Sequence, residues 1–270
     1  MHKIGIEIFY WIDNWADDQI AYFPKAQQCG FDSVEISFVS GPETIDVSRM
    51  RGELERLGLD VFCSTGLSLA TDITSPDKAI RDAGIAYLRL CLETAQKIGS
   101  PILGGVTYAP WLHIPQTEDL RPYRERSAIA LREVAGIAGD LGINVMVEIL
   151  NRFETFMFNT VNEGLEFLQQ IDHPAAKLQL DTYHMNMEED NLADAIREAG
   201  NSIGHFHCAA SNRKLPGQGH IDWAAIMSAL DDINYQQGIV IETFPNPTVE
   251  TGRTVNTWRP LVQNYDEEAK

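Results

Sequence analysis

The chain has 270 residues, with 21 Lys and Arg against 39 Asp and Glu, a net charge of −18. Hydrophobic residues at 44% and charged residues at 22% are the values of a folded globular protein, and the length fits one large core. The acidic excess argues against duplex nucleic acid and anionic membranes as partners, because both demand clustered Lys and Arg.

Cys29, Cys63, Cys91 and Cys208 are far apart and form no Cys-x-x-Cys pair, so they read as reduced thiols and not as a disulfide framework. No apolar run approaches the roughly 18 residues of a membrane span. Glu7 interrupts the opening Met-His-Lys-Ile-Gly-Ile-Glu-Ile, where an export signal would need an unbroken apolar stretch. A soluble cytoplasmic protein is expected.

Short apolar or alternating runs predict strands at Ile4–Ile8, Ser33–Ile36, Asp60–Ser64, Pro101–Gly104, Asn144–Glu148, Lys177–Asp181, Ile203–His207 and Gly238–Glu242. Their mean spacing of about 33 residues is one strand–helix–strand step. The clearest helical pattern runs from Asp77 to Ile98, where Ile80, Gly84, Tyr87, Leu88, Cys91, Leu92, Ala95 and Ile98 form one stripe. Further helices are predicted over Tyr123–Leu141 and over Thr160–Ile171, the latter with Val161, Leu165 and Leu168 on its apolar face. Gly30, Gly58, Gly99, Gly142 and Gly200 stand where helices must end before the next strand.

Eight strands with interleaved helices and no break in composition predict a single (β/α)₈ TIM barrel over residues 1–270. A doubly wound open sheet is disfavoured, since no Gly-x-Gly-x-x-Gly follows the first strand. Beyond Trp258-Arg259-Pro260-Leu261 only the acidic turn Asp266-Glu267-Glu268-Ala269-Lys270 remains, so the eighth helix is expected to be shortened or missing.

Four consecutive strands end in ligand-type residues: Glu148, Asp181, His207 and Glu242. In a barrel these neighbours meet at the C-terminal face, where barrel active sites are built. Three carboxylates and one imidazole suit a hard divalent ion such as Mn²⁺, Mg²⁺ or Co²⁺. Singly, Asp181 reads as a helix cap and His207 as a core histidine; together the four read as a metal site. His205 fits a position one layer deeper on the same strand face, and Glu35, ending the second strand, reads as structural.

The phrases around these residues carry a resemblance. Glu148-Ile149-Leu150-Asn151-Arg152-Phe153-Glu154-Thr155, Asp181-Thr182-Tyr183-His184-Met185-Asn186-Met187-Glu188-Glu189, and His205-Phe206-His207 followed by Arg213 and by Pro216-Gly217-Gln218-Gly219-His220-Ile221-Asp222-Trp223 resemble the ordered motifs of ketose 3-epimerases, the D-tagatose and D-psicose 3-epimerase group of the xylose-isomerase-like barrels. The resemblance implies Glu148, Asp181, His207 and Glu242 as ligands of one divalent ion, Mn²⁺ foremost, with Glu148 and Glu242 also the acid/base pair. It implies Glu154, His184 and Arg213 as sugar contacts, Trp15 and Trp111 as apolar walls, a ketohexose or ketopentose as substrate, and a homodimer or homotetramer. Two departures fall where sugar preference is set: Glu7 replaces an aromatic residue of the first strand, and Ser64-Thr65-Gly66-Leu67 follows the third-strand loop only loosely. The Pro216–Gly219 loop reads as a tight turn, and a free sugar is preferred over a phosphorylated one. Alternative readings are an aldose–ketose or hydroxypyruvate isomerase on the same scaffold, a multi-metal DNA-repair endonuclease, which a −18 chain with seven His fits poorly, and a non-catalytic sugar-binding protein.

Overall fold

Eight parallel strands close on one another in chain order: β1 (Ile4–Glu7), β2 (Ser33–Ser37), β3 (Asp60–Leu67), β4 (Ile102–Pro110), β5 (Asn144–Glu148), β6 (Ala176–Asp181), β7 (Ile203–Cys208) and β8 (Ile239–Ile241). The computed structural model describes residues 2–245, 250–255, 259–262 and 264–270. The barrel is sealed where β1 meets β8, with Ile4, Gly5 and Ile6 opposite Ile239, Val240 and Ile241. Around it run α1 (Phe23–Cys29), α2 (Val47–Leu57), α3 (Lys78–Ile98), α4 (Arg121–Asp140), α5 (Val161–Ile171), α6 (Thr182–Glu188), α7 (Leu192–Ala199) and α8 (Trp223–Asp232). No helix among the described residues is long and apolar enough to cross a membrane.

Local chemistry sets the helix limits. Asp77 accepts a hydrogen bond from the Ala79 amide to start α3, and Gly99, at φ +106°, ends it in the left-handed conformation that an L side chain avoids. Leu88, Cys91, Leu92, Ala95 and Ile98 are buried along α3 as the stripe requires. Thr160 and Glu163 form a reciprocal capping box at the start of α5.

β4 continues to Pro110, six residues beyond the predicted Gly104. Its partner β3 also runs on, past a register shift at Gly66/Leu67, and the two edges support each other up to the pocket rim. After β8, α9 (Glu250–Thr254) and the four-residue α10 (Tyr265–Glu268) stand where a full eighth helix was expected to be shortened or lost. The Tyr265 ring meets Tyr10 edge-on at 5.5 Å, and Asp266 pairs with Lys25 at 2.9 Å, so α10 covers the outside of the β1 region. Trp258, which also figured in the expectation for this segment, lies outside the described residues.

Most of the core lies between strands and helices. A separate apolar group, Phe62, Ile102, Met146 and Val240, fills the barrel interior. Strand side chains alternate between faces, so residues two positions farther along β3 and β5 and just past β8 (Ser64, Glu148 and Glu242) also face inward, nearer the C-terminal end. His205 stacks on Phe62 at 4.8 Å, and His207 lies one step above it.

Candidate metal centre and active site

Glu148 ends β5, Asp181 ends β6, His207 stands one residue from the end of β7, and Glu242 immediately follows β8, where its amide donates to the Cys208 carbonyl at 3.1 Å. Ligand atoms of Glu148, Asp181, His184 and Glu242, all buried, lie within 4.8 Å of one another, an arrangement able to hold a metal ion. His207 borders the same cluster: its Nδ1 is 3.3 Å from Glu242 Oε2 and 3.8 Å from Glu148 Oε1. Three carboxylates with imidazole nitrogen form a donor set that fits a hard divalent cation, and the buried Glu148 Oε1 has no hydrogen-bond partner.

The hydrogen bonds on the far side of each imidazole separate the two histidines. The Asn151 Oδ1 accepts from the Phe153 amide at 2.9 Å, which fixes the amide so that its Nδ2 faces His184. His184 Nδ1 then accepts from Asn151 Nδ2 at 2.7 Å and from the Asn151 backbone amide at 3.3 Å. Its proton therefore sits on Nε2, which points toward Asp181 Oδ2 at 3.7 Å as a donor. His207 is held the other way. Its Nε2 donates to Glu35 Oε2 at 3.0 Å, an oxygen that also accepts from His205 Nε2 at 2.6 Å. That leaves His207 Nδ1 on the carboxylate side, with a lone pair to offer once it is deprotonated.

Arg213 enters from the loop after β7. Its guanidinium donates to Asp181 Oδ2 through Nη1 and to Glu242 Oε2 through Nη2, the latter at 2.5 Å. It also lies over the rings of Tyr183 at 4.5 Å and Phe244 at 5.6 Å. Arg213 has a φ of +61°, in the left-handed region, and the strain is held by Thr243 Oγ1 donating to its carbonyl and by its own amide donating to Ala210 O at 2.8 Å. Asp181 has two functions: Oδ1 caps α6 by accepting from the Tyr183 amide at 2.9 Å, and Oδ2 faces Arg213.

These contacts set the proton affinities of the carboxylate–histidine cluster. Burial, reinforced by the charge of Glu242, pushes Glu148 well above the usual carboxylate range. Burial acts the same way on Glu242, but Arg213 and His207 beside it outweigh that and hold it well below. His207 is raised well above an ordinary histidine: burial opposes its charge, and Glu35 and Glu242 overcome the opposition. Glu35 is pulled down to about 2, despite full burial, by the two histidines.

Trp15, Trp111, Glu154, His184, Arg213, Glu148, His207 and Glu242 all line one pocket at the C-terminal end of the barrel. Asp181 is joined to it through Arg213, and is itself fully buried. Trp15 and Trp111 meet edge-on at 6.1 Å. Pro216–Gly219 does not line this pocket; Gln218 N closes a turn onto Leu215 O at 3.2 Å. The motifs also lock to each other: Asn151 donates to Glu154 at 3.0 Å as well as to His184, and Arg152 pairs with Glu188 at 2.7 Å.

Sequence reasoning missed two aromatic residues of the site and the role of Glu35. Glu35 was read as structural, yet it holds the far side of His207. Phe9 and Phe244 add to the aromatic wall, stacked at 5.2 Å. Glu7 lines the pocket as a buried carboxyl. The available signal was the inward-facing alternation on β1 and β2, which puts Glu7 and Glu35 at paired register positions.

Residues 23–261 match the family model described as xylose isomerase-like TIM barrel. A D-psicose 3-epimerase of Ruminiclostridium cellulolyticum is 36% identical over 268 residues, covering 98% of this chain and 92% of that protein. An L-ribulose 3-epimerase of a Methylomonas species is 37% identical, covering 98% of this chain and 93% of its own length. The crystal structure of D-psicose 3-epimerase with D-tagatose from Clostridium cellulolyticum superposes with a TM-score of 0.94 at 35% identity, over 99% of this chain and 95% of that one.

Proposed function

The chain belongs to the ketose 3-epimerases of the xylose isomerase-like TIM barrels and is a carbohydrate isomerase, and on that premise we propose that it inverts C3 of a free ketose by a two-base mechanism. The observation that carries this reading is the meeting of two carboxyl groups and two cationic or N–H donors in one pocket: Glu148 and Glu242 from strands three apart, with His184 and Arg213.

Inversion at C3 requires removal of a proton α to the C2 carbonyl and return of a proton to the opposite face. One of Glu148 and Glu242 takes the C3 proton, and the other delivers a new one from across the sugar. The planar intermediate carries its charge mainly on O2. His184 Nε2–H, whose direction is fixed by Asn151, donates a hydrogen bond to that oxygen, and the guanidinium of Arg213 adds positive charge beside it. A divalent cation bound by Glu148, Asp181, His207 and Glu242, manganese foremost with cobalt or magnesium as substitutes, supplies Lewis-acid stabilisation of the same charge. His207 is preferred to His184 as the nitrogen ligand because Glu35 occupies its Nε2 side and leaves Nδ1 to face Glu148 and Glu242. Glu154, tied to Asn151, orients a sugar hydroxyl, and Trp15 and Trp111 exclude water over the apolar face of the sugar carbons. Self-association into a homodimer or homotetramer belongs to the same proposal: Phe153 and Ile129, 72% and 70% exposed, are apolar surface available to it.

The test is turnover of ketohexoses and ketopentoses in deuterated water. The epimerised product is expected to carry deuterium at C3. Glu148→Gln and Glu242→Gln are each expected to lose about 10³-fold or more in kcat, with metal content measured in parallel because each change also removes an anionic ligand. Product with no solvent label at C3 would refute two-base epimerisation, and label confined to C1 or C2 would assign the chain to aldose–ketose isomerisation.

A further inference from the structure

Gln179 is fully buried on β6, two positions before Asp181 and so on the same inward face one layer deeper. It lines the pocket, yet the mechanism gives it no part. Its register partners are Glu148 on β5 and His205 on β7, and its side chain reaches past β5 to β4. There the Gly105 amide donates to its Oε1 at 3.0 Å. β4 is shaped to receive it. A Cβ at Gly104 would come within 2.5 Å of that oxygen, and Gly105 takes a φ of +85°, where a Cβ would meet the Thr65 carbonyl at 2.3 Å. A buried carboxamide costs free energy that leucine or methionine would not, and two adjacent glycines weaken a strand further, so packing alone does not account for the three residues.

The orientation of the amide shows what it holds. The Gly105 bond fixes which end is oxygen, and Nε2 then turns to His207. It stands 3.4 Å from Nδ1 and 3.5 Å from Nε2 of that ring. Nearly equal distances in the ring plane would drive it into Cε1, so the amide lies over the face of the imidazole, as an N–H donor does above a π system. Neither ring nitrogen is its acceptor: His207 Nε2 already donates to Glu35 at 3.0 Å, and Nδ1 is turned to Glu148 and Glu242. Glu35 fixes one edge of the ring, about which the plane could still rotate, and Gln179 closes against its face. On the metal reading above, on which this rests, we propose that Gln179 is a positioning residue for the ligand His207. Seated on Gly104 and Gly105, it holds the imidazole plane so that the Nδ1 lone pair points to Glu148 and Glu242, and thereby sets the affinity of the site for a divalent ion.

The test measures Mn²⁺ binding by calorimetry on the full-length protein and on Gln179→Met, Gly104→Ala, Gln179→Ala and the Gln179→Ala/Gly104→Ala double variant. Gln179→Met keeps the volume and loses the amide, and the Kd for Mn²⁺ is expected to rise about 10- to 100-fold. Gly104 does not line the pocket, but Gly104→Ala pushes the carboxamide off its seat and is expected to raise Kd by a similar factor. In the Gln179→Ala background the added methyl has no carboxamide to displace, so there Gly104→Ala should change Kd less than about twofold. The second readout needs no metal. In crystals of the chelated proteins His207 is expected to keep one ring orientation in the parent and to turn from it in Gln179→Met and Gly104→Ala. A fall in Tm with Kd unchanged in both single variants would make Gln179 a packing residue and overturn the assignment. So would a His207 ring that stays in place in both, or an effect of Gly104→Ala that persists undiminished in the Gln179→Ala background. A parent that binds no divalent ion would sink the metal reading alone, because the ring orientations still decide the role of Gln179.

Discussion

Replacing Arg213 with methionine removes one cation from the centre of the barrel while keeping most of the side-chain volume over Tyr183 and Phe244. In the metal-free protein its guanidinium is hydrogen-bonded to both Asp181 and Glu242, and the Arg213 and Glu242 side chains are each 10% exposed. Leaving carboxylates buried without their partner costs about 3–5 kcal/mol. For a chain of this size that is a fall in Tm of about 5–9 °C in the presence of a chelator. A divalent cation neutralises the same carboxylates, and at 100 times its Kd it contributes about 2.7 kcal/mol of its own. The gap in Tm between parent and Arg213→Met is therefore expected to be wide in chelator and much narrower in saturating Mn²⁺. Differential scanning calorimetry under both conditions measures it. Arg49→Met is the control, because its pair with Asp18 is about half exposed on both sides (53% and 49%) and such pairs contribute no more than about 1 kcal/mol. A gap that is the same with and without metal would refute the idea that Arg213 and a cation balance the same charges.

Two more outcomes follow from the site. Exhaustive chelation, verified by elemental analysis, is expected to abolish epimerisation while circular dichroism stays native, and Mn²⁺ or Co²⁺ to restore turnover, because the barrel core and not the ion carries most of the stability. In the metal-free protein Glu148 has its folded pKa raised above the ordinary 4.5 by burial and by Glu242, so its contribution is fully present below 4.5 and is lost as pH rises through the folded value. Glu148→Gln, neutral at every pH, should therefore melt progressively higher than the parent as pH is raised above 4.5 in chelator. In excess Mn²⁺ the order should invert, and a pH-independent difference between the two proteins would contradict the raised pKa.

Much of this was legible in the chain itself. Alternation of period two and stripes of period 3.6 marked the eight strands and the longest helices, and glycines such as Gly99 marked where helices stop, because these signals are local and each needs only a few consecutive residues. The strand-end positions of Glu148, Asp181, His207 and Glu242 were equally visible, since a closed barrel turns neighbours in strand order into neighbours in space. The tertiary structure decided what depends on residues far apart in sequence. Glu35 reaches His207 across 172 positions, so no local pattern distinguishes it from a structural carboxylate. The partners that orient His184 and His207 are Asn151 and Glu35, on other strands and loops, so which ring nitrogen faces the carboxylates is decided by the tertiary structure. The carboxamide of Gln179 belongs in the same class: its seat on Gly105 lies 74 positions away, and a buried amide finds its partners only in what the folded chain assembles around it.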